Sequence, residues 1–366
     1  MKEKCKVMMF VDDYSGGAGN VIQIMANEFY LKEKYLPTVV TLNPHSLKYK
    51  IDRHIQTIEH PLSQYKSISK VSQFFKMVRS IGRIIEKGKP DVIISFLDNI
   101  NTLVLLSQYF DHSIPIVACE RSNPIVVHPN KLWSTLRSIA YRRANIVTVQ
   151  CSNFKSFMPS IQHKVQIMPN PVLSPACEKT DYAISGAVKF VSCARLHPIK
   201  QHYKMIEVIE CLYKKGVDCC LTIYGDGPER NNLENIIAIK GLQNIVNLPG
   251  AVQNVHQLLS EGDIYLMTSY QEGFPNALCE AMAVGLPTIS FKCHDGLMDI
   301  VQDGVNGFLT EMNDVQSMAY RMEQLSKSRL LRKQIGEAAK CAMKQFNVDT
   351  IYERWDELIR NLGVMS

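Results

Sequence analysis

The sequence predicts an α/β protein with two domains, each a parallel β-sheet covered by helices. First, 366 residues exceed what one compact core usually holds, so two domains of about 150 to 200 residues are expected. Second, short apolar runs alternate with helix-length segments, which is typical of βαβ units. Third, this alternation stops at a stretch rich in Pro and Ser and then restarts. A hydrophobic content of 46% and a charged content of 21% are those of an ordinary globular protein.

The first domain is predicted from the alternation in residues 1–172. Its first apolar run is too short for a signal peptide or a membrane span, so we interpret it as a strand. The predicted strands are 6–11, 38–42, 91–96, 116–118 and 146–150, and the predicted helices are 19–34 and 71–87.

The second domain is predicted over residues 189–346, after a linker at 173–188 that is rich in Pro, Ser and Gly. Its predicted strands are 190–193, 220–224, 245–248, 264–268 and 287–291. Its predicted helices are 203–215, 228–240, 255–259, 275–284, 318–326 and 329–345, and a separate C-terminal helix is predicted within 347–366.

Charge and cysteine usage restrict the function classes. Residues 1–175 carry 22 Lys and Arg against 12 Asp and Glu, a net +10, whereas residues 176–366 carry 19 against 23, a net −4. A basic half suits phosphates, an acidic membrane face or nucleic acid, and charge alone does not choose among them. The 11 cysteines are scattered without metal-ligand spacing, which favours reduced thiols in a cytoplasmic protein and no metal site.

A glycine pair follows the first predicted strand. Gly16 and Gly17 open the next helix, where close backbone approach and free N–H groups suit a diphosphate. The pattern is not a dinucleotide fingerprint, because Ile22 stands where the third glycine would be. A tight turn without a ligand is the alternative.

Two loops of the second domain offer groups for a phosphate. Arg195 and Lys200 follow its first predicted strand, at the edge where open α/β sheets bind ligands, and two cations there could clamp a diphosphate. Gly225 and Gly227 follow the next strand and are predicted to place amide donors at the same edge. Solvated cations and a common turn are the alternatives.

A pair of glutamates forms the most specific motif. Glu272 lies in a loop ahead of a helix that begins at Pro275, and Glu280 lies inside that helix among apolar residues. A carboxylate in such a setting needs a polar partner, and ribose hydroxyls would serve. Glu272 could accept from sugar hydroxyls. The backbone N–H groups that could add donors are those of Phe274, Asn276 and Ala277.

The order and spacing of these motifs resemble the retaining GT-B glycosyltransferases of family 4 (group 1), over nearly the whole chain. Residues 303–307, Asp-Gly-Val-Asn-Gly, extend the match. Within that family the sequence is similar to enzymes of bacterial surface polysaccharides and lipid-linked oligosaccharides. The resemblance implies two Rossmann-like domains facing a cleft, with a C-terminal helix that crosses back to the first domain.

The resemblance also implies roles for the site residues. The donor would be a UDP-sugar, with no cofactor and no metal, and the sugar's anomeric configuration would be retained. The implied catalytic residues are Glu272, Arg195 and Lys200. The implied donor-binding residues are Gly16, Gly17, Gly225, Gly227, Phe274, Pro275, Asn276, Ala277 and Glu280.

One segment departs from many members of that family. A histidine often follows the fourth strand of the first domain, whereas this chain has Glu120, Arg121 and Asn123 there. These three become candidates for contacts with the acceptor, and a capped loop with an internal ion pair is the alternative.

Residues 131–143 place apolar side chains at helical spacing beside several arginines. This pattern, with the basic N-terminal half, suggests docking on an anionic bilayer at the inner face of the plasma membrane, or on a polyprenyl-diphosphate acceptor. A domain helix that buries one face is the alternative, and no nucleic-acid partner is expected.

The predicted function is transfer of a hexose or N-acetylhexosamine from a UDP-sugar to a glycan or polyprenyl-linked acceptor. A nicotinamide-dependent oxidoreductase is an alternative, since two Rossmann-like domains also suit dehydrogenases. A non-catalytic scaffold related to transferases is another.

Overall fold

The computed structural model describes residues 4–14, 16–43, 51–65, 69–121, 131–156, 158–252 and 254–364. The chain divides into two compact units, one formed by 1–171 with 348–366 and the other by 172–347. Each unit is built on a parallel β-sheet, so the predicted α/β class is confirmed. Within the described ranges, no helix is both long enough and apolar enough to cross a bilayer.

The first unit is a seven-stranded sheet covered by helices on both faces. Its strands are β1 (Cys5–Val11), β2 (Tyr35–Thr41), β3 (Gln56–Glu59), β4 (Val92–Phe96), β5 (Ile116–Cys119), β6 (Ile146–Val149) and β7 (Val165–Ile167). Its helices are α1 (Gly16–Leu31), α2 (Lys70–Gly88), α3 (Asp98–Ser107), α4 (Lys131–Ala140), α5 (Ser152–Ser156) and α12 (Val348–Asn361). The strand order is β3-β2-β1-β4-β5-β6-β7, and every pairing is parallel.

The alternation of side chains along β1 explains why both faces are covered. Val7 and Met9 point into a core shared with α1 and α12, while Met8 and Phe10 point into a core shared with α2 and α3. A strand buried on both faces reads as a continuous apolar run, as β1 does.

The helix α12 belongs to this first unit, which agrees with the expected return of the C-terminal helix. Its Trp355 is buried in the same core as α1. Its buried Asp356 accepts a hydrogen bond from the Tyr35 hydroxyl at 2.7 Å and one from the Lys34 ammonium at 3.1 Å.

The second unit is a six-stranded parallel sheet with order β10-β9-β8-β11-β13-β15. Its strands are β8 (Val188–Cys193), β9 (Cys219–Tyr224), β10 (Val246–Gly250), β11 (Ile264–Met267), β13 (Thr288–Phe291) and β15 (Phe308–Thr310), beside a short parallel pair, β12 (Gln271–Glu272) and β14 (His294–Asp295). Its helices are α6 (His202–Lys214), α7 (Arg230–Ile239), α8 (Val255–Ser260), α9 (Asn276–Val284), α10 (Val315–Lys327) and α11 (Arg329–Met343).

Several elements were missed at the sequence level, and their positions explain why. The edge strand β3 is mostly exposed, and β7 has only three residues, so neither shows an apolar pattern. The helix α3 is buried along most of its length, and a continuous apolar run lacks the period that marks a surface helix.

Candidate functional site

The predicted donor residues gather at one edge of the second sheet. Parallel strands end on the same side, so the segments after β8, β9 and β11 meet there. Lys200 ends a short 3-10 turn, Pro198–Lys200, directly before α6. Glu272 lies in β12, a few residues beyond the end of β11.

Lys200 and Glu272 contact each other directly. The Lys200 ammonium donates to Oε1 of Glu272 at 2.6 Å, and the two side chains are 23% and 13% exposed. The sequence predicted both residues at this edge but not their contact. The pair holds a cation and a carboxylate together with little solvent around them, where both act more strongly than in water.

Two hydroxyl residues that the sequence reasoning missed hold this pair in place. Ser269 donates through Oγ to the same Oε1 of Glu272 at 2.6 Å. Thr268 donates through Oγ1 to the backbone carbonyls of Lys200 and Gln201, both at 3.0 Å. Both side chains are buried. Two hydroxyls directly after a buried strand were the available signal.

Glu280 reaches the same edge from the helix α9. Its side chain is half-buried, and burial raises the pKa of its carboxyl to about 7. Burial, together with a smaller contribution from the nearby Glu280 carboxylate, raises the pKa of the Cys193 thiol at the end of β8 to about 12. No hydrogen bond to the Glu280 carboxylate occurs within the described part of the chain. Glu280 is therefore an acceptor that lacks a protein donor.

Arg195 is exposed in the loop after β8. Among the residues that the structure describes, no carboxylate pairs with it. Its charge is thus available at the edge where Lys200 and Glu272 meet.

The glycines after β9 have a different local role from the one predicted. A Cβ on Gly225 would lie 1.9 Å from the carbonyl oxygen of Ala194, and one on Gly227 would lie 2.4 Å from that of Leu196. The Gly225 N–H donates to the Gly250 carbonyl at 2.8 Å, and the Gly227 N–H donates to Asp226 Oδ1 at 2.8 Å. The predicted amide donors are therefore engaged within the protein, and the glycines permit the close approach of two loops.

The start of α9 also differs in detail from the prediction. Pro275 precedes the helix, and the Asn276 N–H donates to the Phe274 carbonyl at 2.9 Å, so that amide is not free. The N–H of Ala277 lies in the first helical turn, where amides lack helical partners. The buried Phe274 ring packs edge-on against Phe346 and anchors the loop.

In the first unit, Gly16 and Gly17 begin α1 as predicted and are exposed. The sixteen-residue helix directs its unpaired N–H groups to the carboxyl edge of β1. Nothing lies within 4 Å of a Cβ placed on Gly16, so the space beside it is open. A role of this glycine pair in donor binding stays a prediction.

Glu120 is fully buried, and its partners are not the ones expected. It accepts a hydrogen bond from the Tyr141 hydroxyl, and Nε of Arg137 lies 3.8 Å from it. Asn101 donates to the Tyr141 hydroxyl at 2.9 Å. Burial raises the pKa of Glu120 to about 8, against the lowering effect of Arg137. Glu120 thus faces the cation Arg137, as in the internal pairing weighed as the alternative, while its burial favours the protonated carboxyl at neutral pH.

Arg121 lies over the ring of Phe96, with its guanidinium carbon 4.8 Å from the ring centre. Its Nη1 donates to Asn170 Oδ1 at 2.7 Å, and Gln150 donates to the same oxygen at 2.9 Å. These contacts fix the guanidinium at the carboxyl edge of the first sheet. Asn123 lies outside the described residues.

The segment 131–143 does not present its arginines as a membrane surface would require. Arg143 is buried and donates to the carbonyls of Gln108, Asp111 and Ile114 at 2.7 to 2.8 Å. Arg137 faces Glu120, and only Arg142 of the three is exposed. The prediction of an arginine-lined docking face on this segment is therefore wrong for Arg143.

Among the described residues, no three or more His, Cys, Asp or Glu side chains are arranged to hold a metal ion.

Known proteins match this chain in sequence and in fold. Residues 179–341 match the family model described as glycosyl transferases group 1. The chain is 24% identical over 94% of its length to an α-1,4-N-acetyl-D-galactosaminyltransferase of Campylobacter jejuni that acts on a GalNAc-containing diNAcBac-PP-undecaprenol, and it covers 95% of that protein.

Other similar proteins match in part of the chain or in fold. The poly(ribitol-phosphate) α-N-acetylglucosaminyltransferase of Staphylococcus aureus is 28% identical over 46% of this chain, which covers 34% of that protein. The crystal structure of HepE from Anabaena in complex with UDP and glucose superposes with a TM-score of 0.80 and 18% identity, over 97% of this chain and 99% of that one. The nicotinamide-dependent oxidoreductase is not favoured by these matches.

Proposed function

We propose that this chain, which matches the group 1 glycosyltransferase model over residues 179–341 and shares its fold with UDP-bound HepE, moves a hexose or N-acetylhexosamine from a UDP-sugar to a glycan or polyprenyl-diphosphate-linked acceptor in bacterial surface-polysaccharide biosynthesis. The contact between Lys200 and Glu272 at the carboxyl edge of the second sheet carries this proposal. The substrates named for the Campylobacter and Staphylococcus relatives support the acceptor class. The UDP bound by HepE supports the donor.

The donor residues divide among three parts of the ligand. Arg195 and Lys200 hold the diphosphate as cations. Glu280, an acceptor without a protein donor, accepts from the ribose hydroxyls. Glu272 accepts from the sugar hydroxyls beside the amides that begin α9, a role that suits its position one turn ahead of that helix.

The chemistry we propose retains the anomeric configuration. The acceptor hydroxyl attacks the anomeric carbon on the face from which the diphosphate leaves, the bond between that carbon and the phosphate oxygen breaks, and the proton passes to the departing phosphate. Positioning and charge stabilisation then supply most of the rate. The α linkage made by the Campylobacter relative supports retention, because common UDP-sugars are α-configured.

Lys200 and Arg195 take the place that a divalent cation fills in metal-dependent transferases. Two cations at the leaving diphosphate stabilise the charge that develops there as its bond to the sugar breaks. We therefore propose that the reaction needs no metal.

The acceptor side of the proposal rests on the first unit. Arg121 is oriented by Phe96 and Asn170, which leaves its guanidinium fixed at the sheet edge. Glu120 supports this region from within through Tyr141 and Arg137. Contacts of Asn123 with the acceptor remain part of the proposal.

A membrane contact is proposed on α2 rather than on residues 131–143. Val71 and Phe75 are 65% and 66% exposed on this helix. Five cations of the same helix are exposed, and no described carboxylate pairs with any of them. These cations are Lys70, Lys76, Arg79, Arg83 and Lys87. Exposed apolar side chains beside unpaired cations fit an anionic lipid surface, which would place the protein at the inner face of the plasma membrane.

Flotation with vesicles of phosphatidylglycerol and phosphatidylethanolamine tests this contact. We expect Arg79→Glu with Arg83→Glu to lower the bound fraction several-fold, because each cation near an anionic surface contributes about 1 kcal/mol. Arg53→Glu with Arg142→Glu, two exposed arginines outside α2, is the matched double charge reversal and should change the bound fraction little. Equal loss in both variants would remove α2 from the proposal.

Donor turnover tests the function itself. We expect UDP, but not NAD, to raise the melting temperature, and UDP to be released from a UDP-sugar when EDTA is present. A protein that binds NAD and not UDP would contradict the proposal, and UDP binding without any release of UDP would point to a scaffold.

A further inference from the structure

We propose that Thr268 and Ser269 are positioning residues that set the two charged groups of the donor site separately. Thr268 sets the cation Lys200, and Ser269 sets the carboxylate Glu272. This inference rests on the proposed function, because it assigns Lys200 to the diphosphate and Glu272 to the sugar.

Thr268 acts on the backbone that carries Lys200. Three consecutive carbonyls of that turn accept hydrogen bonds from residues 268–270: the Tyr270 N–H donates to Ile199 at 2.8 Å, and the Thr268 hydroxyl reaches Lys200 and Gln201 at 3.0 Å each. Gln201 has a positive φ of 48°, a conformation that costs a non-glycine residue about 1 kcal/mol or more and persists only when its surroundings hold it. The Thr268 hydroxyl supplies two of the contacts that hold it.

Ser269 acts on the carboxylate instead. Its hydroxyl and the Lys200 ammonium both donate to Oε1 of Glu272 at 2.6 Å. Within the described part of the chain, no donor is recorded on the other oxygen, Oε2. One oxygen is thus held by the protein while the other is left for a ligand hydroxyl.

The sharing of Oε1 gives Ser269 its importance. An arriving diphosphate competes with Glu272 for the Lys200 ammonium, since both are anions. When the ammonium turns toward the diphosphate, the Ser269 hydroxyl is the donor that remains on Oε1 and keeps Glu272 oriented. Diphosphate binding and sugar recognition therefore depend on different hydroxyls.

The test separates these two dependences by calorimetric affinity for two ligands. UDP probes the diphosphate part. The sugar part is the ratio of the affinity for the best-bound member of a panel (UDP-glucose, UDP-galactose and their N-acetylated forms) to the affinity for UDP. The variants are Thr268→Val and Ser269→Ala, and the conservative variants Thr268→Ser and Ser269→Thr keep the hydroxyl.

We expect Thr268→Val to weaken UDP about tenfold, because a displaced Lys200 loses its contact with the phosphate, and Thr268→Ser to restore it. We expect Ser269→Ala to leave the UDP affinity within about twofold of wild type. The same variant should lower the sugar part about fivefold, which is the effect of losing one hydrogen bond. Ser269→Thr should restore the sugar part.

A merely structural role would lower both affinities together, in step with the melting temperature, and that result overturns the inference. An unchanged sugar part in Ser269→Ala also overturns the inference. This measurement decides the question by itself if Thr268→Val does not fold. Wild-type protein that binds no UDP would overturn the proposed function, and the inference with it. Wild type that binds UDP and variants that show no split would overturn the inference alone.

Discussion

Replacement of Lys200 by methionine should affect turnover far more than stability. Methionine keeps the length of the side chain and removes its charge. The ammonium lies 2.6 Å from Glu272 Oε1, with 23% and 13% of the two side chains exposed. An exposed ion pair contributes about 0 to 1 kcal/mol, while removal of one partner from a fully buried pair costs about 3 to 5 kcal/mol. The exposure of this pair lies between those limits, and Ser269 still donates to the carboxylate in the variant. We therefore expect the free energy of unfolding to fall by about 2 kcal/mol.

The catalytic loss is larger because the charge on the leaving diphosphate is greatest in the transition state. Loss of one preorganised donor to a developing charge lowers kcat by about 10² to 10³. A loss of about 2 kcal/mol in stability would lower Tm by only about 4 to 8 °C in a domain of 150 to 250 residues. Turnover should therefore fall while the protein remains folded at 25 °C.

The assay is the rate of UDP release at saturating donor, read beside thermal unfolding. Lys214→Met is the matched control, because Lys214 also forms a 2.6 Å pair, with Glu210, but is 70% exposed and lies at the far end of α6. It should unfold and turn over as wild type does. Near-normal UDP release by Lys200→Met, or a loss equal to that of Lys214→Met, would refute the assignment of Lys200 to the diphosphate.

Three further predictions follow from burial and backbone conformation. Burial raises the pKa of the Glu280 carboxyl to about 7, so the carboxylate forms as the pH rises from 6 to 8, and UDP should bind more tightly over that range. Glu280→Gln should bind UDP about tenfold more weakly and should not gain affinity with pH. Parallel pH profiles of UDP affinity in the two proteins would contradict this role of Glu280. Gly225→Ala should lower the free energy of unfolding in urea by about 3 kcal/mol or more, because the new Cβ would overlap the Ala194 carbonyl. The control Gly241→Ala, at a glycine with a positive φ and open space around it, should lower it by only about 1 kcal/mol. Equal losses of stability in the two variants would refute the overlap. Burial raises the pKa of Glu120 to about 8, so Glu120 stabilises the fold most below pH 4.5 and loses this contribution as the pH rises through about 8. The free energy of unfolding of Glu120→Gln should therefore rise relative to that of wild type between pH 5 and 9. A difference that stays constant with pH would argue against a protonated Glu120.

The sequence predicted where the candidate donor residues lie better than it predicted the contacts between them. The positions of Lys200 and Glu272 follow from the strands that precede them, because parallel strands end at one edge. The hydrogen bond between these two side chains depends on a turn whose backbone is held by Thr268. Such a turn has no periodic pattern of apolar residues, so the sequence does not indicate its conformation. The same holds for Gly225, where the sequence indicates a special backbone but not the carbonyl of Ala194 against it.

The first unit shows where tertiary packing overrides local patterns. Glu120 was expected to contact the acceptor or to form an ion pair within its loop, yet its partners Tyr141 and Arg137 come from the turn after α4 and from α4 itself. The arginines of 131–143 look like a basic face in sequence. Arg143 instead closes a loop by donating to three carbonyls, which no helical period could indicate.

The position of α12 determines the order in which the chain can fold. The apolar face of β1 is covered in part by Trp355 and its neighbours, and Tyr35 bonds to Asp356 across 321 positions of sequence. Residues 172–347, which form the second unit by themselves, leave the ribosome before α12 does. The second unit can therefore complete its core while the first, although synthesised earlier, still exposes part of its sheet. The first unit, although it is made first, can complete its core only after residues 348–366 have been made.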